Sequence, residues 1–142
     1  RDHWKLNPEL IPAQEGYINE IKGQRAGLVI GDRAMGLEER FEYVYDLGKE
    51  WKEMTGLPFV FAAWVARKTL SEEFIDAFNE AVGEGLEHLP ELMYLLPSPE
   101  GFDLEKYFKE YISYHLDGDK RKALSLFLQK MKSNQVFNGA LV

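Results

Sequence analysis

Arg25-Ala26-Gly27-Leu28-Val29-Ile30-Gly31-Asp32-Arg33-Ala34 is the stretch on which the expected fold turns. Residues 26–30 are all apolar or glycine, the pattern of a strand covered on both faces, as strands of parallel sheets usually are. Gly31 and Asp32 follow at the carboxyl end, and in open α/β sheets ligands sit just outside such ends. Glycine allows close approach of backbone or ligand. Asp32 then has two readings, a cap for a following turn or a carboxylate facing a ligand.

A second run, Leu57-Pro58-Phe59-Val60-Phe61-Ala62-Ala63-Trp64-Val65-Ala66, is rich in β-branched and aromatic residues and reads as another buried strand. Pro58 confines its start to a sheet edge or entry point. Phe41, Tyr43 and Tyr45 alternate with other residues and give a weaker third strand signal. Two strands covered on both faces need neighbours on both sides, and few are on offer here. A sheet completed by another polypeptide segment is the expectation.

Helices account for most of the remainder. Pro12 and Gly23 bracket a narrow apolar stripe of Tyr17, Ile18 and Ile21. Asp46 is placed to cap a short helix carrying Leu47, Trp51 and Met54, which Gly56 ends. Thr69 and Glu72 have capping-box spacing, and Phe74, Ile75, Phe78, Val82 and Leu86 recur at helical period. Pro90, Pro97 and Pro99 interrupt the chain. Asp103 then caps a helix bearing Leu104, Tyr107, Phe108, Tyr111 and Ile112. After Gly118 a last helix turns Leu124, Phe127, Leu128 and Met131 inward, with Lys130 and Lys132 near its negative end.

The bulk numbers exclude several classes. The chain has 142 residues, within one-domain size, and 45% of them are hydrophobic, enough for a core. Its formal net charge is -7 with the signs interspersed, which argues against nucleic acid and anionic membrane, both of which require a basic face. No cysteine is present, so disulfides, thiolate zinc sites and a Cys nucleophile are excluded, in keeping with a cytoplasmic protein. No apolar run is long enough to span a bilayer. His3, His88 and His115 lack metal-ligand spacing, and there is neither a Gly-x-Ser-x-Gly elbow nor a complete dinucleotide or phosphate-loop fingerprint. Solvated pairing with Arg40, Lys49 and Lys52 accounts for Glu38, Glu39, Glu50 and Glu53. Asp32 stands apart in having a setting that suggests chemistry.

Three segments carry the reading further. Residues 26–34, Tyr45-Asp-Leu-Gly-Lys-Glu-Trp51 and Thr55-Gly-Leu-Pro-Phe-Val-Phe-Ala-Ala-Trp-Val-Ala-Arg67 resemble, in that order and spacing, the chorismate dehydratases of the futalosine route to menaquinone. The later Tyr111-Ile-Ser-Tyr114 and residues 120–128 fit the same likeness, which covers roughly residues 10–132. The resemblance implies an α/β chain forming part of a two-lobed fold like type II periplasmic binding proteins. Residues 1–56 would be the latter part of lobe two, and 57–142 a segment returning to complete lobe one. It implies a carbon–oxygen lyase that dehydrates chorismate to 3-[(1-carboxyvinyl)oxy]benzoate, using neither metal nor cofactor. Asp32 would be the catalytic residue, and Gly31, Asp32, Arg33, Pro58 and Phe59 would bind the substrate. Family members are about twice this length, and the likeness lacks their first half. The expectation is therefore a partial chain, inactive alone and completed by the missing half or a second chain. Two other readings stay open. One is a non-catalytic lobe binding a small anionic solute; the other is the sister enzyme, 1,4-dihydroxy-6-naphthoate synthase.

Overall fold

The first α-helix begins where the sequence supplies an acceptor for its free N–H groups. In the computed structural model, which describes residues 3–97 and 102–133 apart from the Asp32 side chain, α1 spans Leu47–Thr55. Asp46 accepts hydrogen bonds from the Gly48 N–H at 2.8 Å and the Lys49 N–H at 3.2 Å. Gly56 ends α1 at φ 72°, the left-handed conformation that glycine takes without a Cβ clash, and its N–H donates to Lys52 O at 2.8 Å. Start and stop both match the sequence reading.

The second helix, α2, spans Glu72–Glu87. Its cap is Ser71, whose hydroxyl accepts from the Phe74 N–H at 3.3 Å, rather than the Thr69 of the expected capping box. Either hydroxyl offers the same acceptor, and Ser71 lies immediately before the first helical residue. Pro90 opens the short α3, Leu89–Met93, because its missing N–H is one that a first turn leaves unbonded anyway. Asp103 caps α4, Leu104–Lys106, by accepting from the Lys106 N–H at 2.9 Å. The chain then widens into a π-helical turn over Tyr107–Tyr111. The wider turn breaks the expected apolar face, leaving Tyr111 exposed while Tyr107 and Phe108 are half-buried. The last helix, α5, spans Gly118–Ser133. Asp117 receives the N–H groups of Asp119 and Lys120 at 3.1 and 2.9 Å. Pro99 of the expected proline breaks lies outside the described residues.

The α/β expectation is overturned. Among the described residues there is no strand, so the arrangement of strands with flanking helices drawn from periplasmic binding proteins does not hold for this chain. Residues 26–30 and 57–66 form no regular element, and the Phe41–Tyr45 alternation yields none either. Among the described residues, no backbone-to-backbone hydrogen bond joins residues 57–66 to another segment. The physical reason is that strand preference measures fit against neighbouring strands, and a strand's polar groups are satisfied only by them. Phe61, Trp64 and Val65 are instead 79%, 81% and 88% exposed. Each forgoes about 1.5–3 kcal/mol that full burial of such a side chain would contribute.

The structure divides into two units, Arg1–Tyr45 and Asp46–Val142. In the first, the bracketed Pro12–Gly23 helix is reduced to a 3-10 turn over Tyr17–Glu20, preceded by Gly16 at φ 78°. Residues 26–30 pass over this turn: the Tyr17 hydroxyl donates to Leu28 O at 2.7 Å. A Cβ on Gly27 would fall 2.6 Å from Ile21 Cδ1, so the backbone lies directly against that side chain. The second unit holds α1 to α5. Its aromatic centre is Trp51 of α1, Phe59 and Phe127 of α5, with ring centroids 5.2–5.7 Å apart in edge-on geometry. Trp51 and Ala123 are the buried apolar residues among those described.

Candidate functional site

Gly31, Asp32 and Arg33 lie together in a 3-10 turn, Gly31–Ala34, at the end of the apolar run. Gly31 has φ 71°, and nothing lies within 4 Å of where its Cβ would stand, so backbone conformation alone calls for glycine there. The Asp32 side chain falls outside the described residues. Arg33 is exposed, and its guanidinium has no hydrogen-bond or ion-pair partner among the described residues, leaving five donors for an anion.

Pro58 and Phe59 lie in the other unit and are both half-buried. The Trp51 indole N–H donates to Pro58 O at 3.2 Å, tethering the chain just past α1. Phe59 stands edge-on to Trp51, Phe61 and Phe127, at centroid distances of 5.7, 4.9 and 5.2 Å. The structure thus brings Pro58 and Phe59 together on an aromatic base, and Gly31 and Arg33 together on one turn. Each pair belongs to its own unit.

The sequence reading missed a polar bracket in residues 113–120. The Lys120 ammonium donates to Ser113 Oγ at 2.7 Å, His115 O at 2.5 Å and Asp117 Oδ2 at 2.9 Å, and its side chain is only 12% exposed. The Lys120 backbone N–H and ammonium hold the Asp117 carboxyl below its ordinary value. Burial pushes the Tyr114 hydroxyl up, and that hydroxyl donates to Phe108 O at 3.3 Å. The available signal was the Asp117-Gly-Asp-Lys120 spacing, a capping carboxylate three residues before a lysine. No three or more His, Cys, Asp or Glu residues are grouped to hold a metal ion among the described residues.

Comparison with known proteins adds what this geometry alone lacks. The family described as Menaquinone biosynthesis matches residues 1–133. A chorismate dehydratase of Campylobacter jejuni is 26% identical over 125 residues, 85% of this chain and 56% of that enzyme. A 1,4-dihydroxy-6-naphtoate synthase of Thermus thermophilus is 44% identical over 64 residues, 40% of this chain and 21% of that enzyme. The chain therefore spans about half the length of the dehydratase, and less of the synthase. No solved structure matches it.

Proposed function

We propose a function on one premise: this chain belongs to the menaquinone biosynthesis family. Its reaction is the dehydration of chorismate to 3-[(1-carboxyvinyl)oxy]benzoate, a carbon–oxygen lyase step of the futalosine route carried out in the cytoplasm. The observation that carries this reading is the dehydratase likeness, which runs along 85% of the chain rather than through one motif. Among the described residues no helix is long and apolar enough to cross a membrane.

The chemistry sets what the site must supply. A base removes the ring proton on the carbon bearing the enol ether. The C–H electron pair becomes a ring double bond, the C4 hydroxyl leaves, and the two together amount to one water. The ring carboxylate acidifies that proton by vinylogy, and aromatisation drives the step. The substrate is a dianion, so cations must face it. Arg33, exposed and without a partner among the described residues, lies on the turn that carries Asp32 and fits that requirement. Asp32 orients the departing hydroxyl or a water. A carboxylate facing a dianion as base would suffer repulsion unless paired. Gly31 allows close approach of the substrate to the backbone of that turn.

Turnover also requires further polypeptide, either the remaining length that the relatives have or a second chain. Exposed Phe61, Trp64 and Val65 support this, since they constitute an apolar surface awaiting cover. The test is turnover of chorismate by the protein with its complete gene, alongside Asp32→Asn and Asp32→Ala. Loss of about 100-fold or more in Asp32→Ala, with Asp32→Asn retaining more, is expected of an orienting carboxylate. Near-unchanged rates in both variants would remove Asp32 from the mechanism.

A second reading has its own support. The 44% identity to the synthase, although confined to 64 residues, exceeds the identity to the dehydratase. Formation of an aromatic product from chorismate separates the two, because the synthase reading expects none.

A further inference from the structure

Within the second unit, the end of α2 and the start of α3 face the π-helical turn and the 112–115 connector across an open cleft of about 270 Å³. Its walls are apolar, with Leu86, Leu89 and Pro90 on one side and Phe108 and Ile112 on the other. Lys109, Tyr114 and His115 supply its polar groups, and among the described residues no carboxylate lines it, although the chain as a whole carries a net charge of -7. A cavity of about 150 Å³ accommodates benzene, so the cleft has room for one ring and a small charged group.

Two features make this a prepared cleft rather than a gap. The connector bearing Tyr114 and His115 is held by Lys120, which donates to Ser113 Oγ and His115 O, and by the Tyr114 hydroxyl bond to Phe108 O. Preset polar groups on an apolar cleft are what small-ligand sites require. The His115 ring has no partner among the described residues, and Lys109 pairs with Glu105 at 2.5 Å with both side chains well exposed. An exposed pair of this kind is weak, so Lys109 can exchange Glu105 for another carboxylate.

We propose that this cleft binds a ring-sized carboxylate, an aromatic monoacid of benzoate dimensions. The ring lies between Leu89 and Ile112, and the carboxylate meets Lys109 and His115. The proposal is independent of the chorismate reading, because the cleft shares no residue with Gly31, Asp32, Arg33, Pro58 or Phe59.

The experiment is ligand-observed NMR titration of the full chain with benzoate and with benzyl alcohol, which keeps the ring and lacks the charge. Saturable benzoate binding is expected with affinity on the order of 1 mM. Benzyl alcohol and the Lys109→Gln variant should each be weaker by about ten-fold, the size of one charged hydrogen bond. Leu89→Trp, which fills the cleft, should abolish binding. Lys109 is a surface residue, so its substitution leaves the fold intact and decides the matter if Leu89→Trp does not fold. Absence of saturable benzoate binding, or equal binding by wild type and Lys109→Gln, would overturn the proposal. Chorismate turnover is measured separately, so either conclusion can fail alone.

Discussion

Residues 46–56 and 57–66 are neighbours of similar length, and the second is far richer in apolar side chains, yet it is the first that forms a regular element with a buried residue. The first is α1 with its cap and its glycine stop, and it contains buried Trp51. The second has no regular element and leaves Phe61, Trp64 and Val65 in solvent. What separates them is where their hydrogen-bond partners lie. Every bond of α1 closes within a few residues, from Asp46 to Gly56, whereas an extended stretch depends on a neighbour from elsewhere. The more apolar stretch is the exposed one, so apolar content does not decide these outcomes; the reach of the bonds does.

The largest test of that contrast is Trp51→Ala. It removes the edge contacts to Phe59 and Phe127 and the indole bond to Pro58 O, so the second unit should lose about 3–5 kcal/mol in a denaturant titration. A loss under about 1 kcal/mol would mean that α1 does not depend on its packing. Asp46→Ala comes next. It leaves two N–H groups at the start of α1 without their acceptor and should cost about 1 kcal/mol. Gly83→Ala probes local specification from the other side. No atom lies within 4 Å of its missing Cβ inside α2, so helix propensity alone should raise stability by somewhat under about 1 kcal/mol, read as a higher denaturation midpoint.

A fourth test uses pH. The Asp117 carboxyl is held below its ordinary value by the Lys120 N–H and ammonium. The stabilisation is therefore present in full above the unfolded carboxylate's pKa and is lost as acid takes the pH down through the lowered folded value. Asp117→Asn should close its stability gap to wild type over that acid range, as followed by helical circular dichroism. A gap constant with pH would show that the bracket does not rely on charge. The smallest effect is expected from Val65→Ser, at 88% exposure, within about 0.5 kcal/mol in this chain. A larger loss would break the contrast by showing that 57–66 is packed after all.

Legibility followed the same division. Asp46, Gly56 and Asp103 could be read directly as stops and starts, since a capping side chain needs only its own neighbours. Ser71 replaced Thr69 as a cap by a shift of two residues. The π-helical turn at Tyr107–Tyr111 escaped the pattern because a 3.6-residue period was assumed through it. For the candidate site, the sequence reading gave close approach as the reason for Gly31, whereas the structure gives a positive φ, which no apolar pattern announces. The Lys120 bracket was hidden because it joins residues three to seven apart through one side chain, without periodicity to announce it.

The amino-acid order alone determined where α1 and α4 begin and where α1 stops, together with the family to which the chain belongs. Only the folded arrangement decided that residues 26–30 and 57–66 are not strands, and that Trp51, Phe59 and Phe127 share one cluster. A helix satisfies its backbone four residues away, within reach of a sequence pattern. A strand or an aromatic cluster is completed by residues distant in the chain, and no local pattern states whether they arrive.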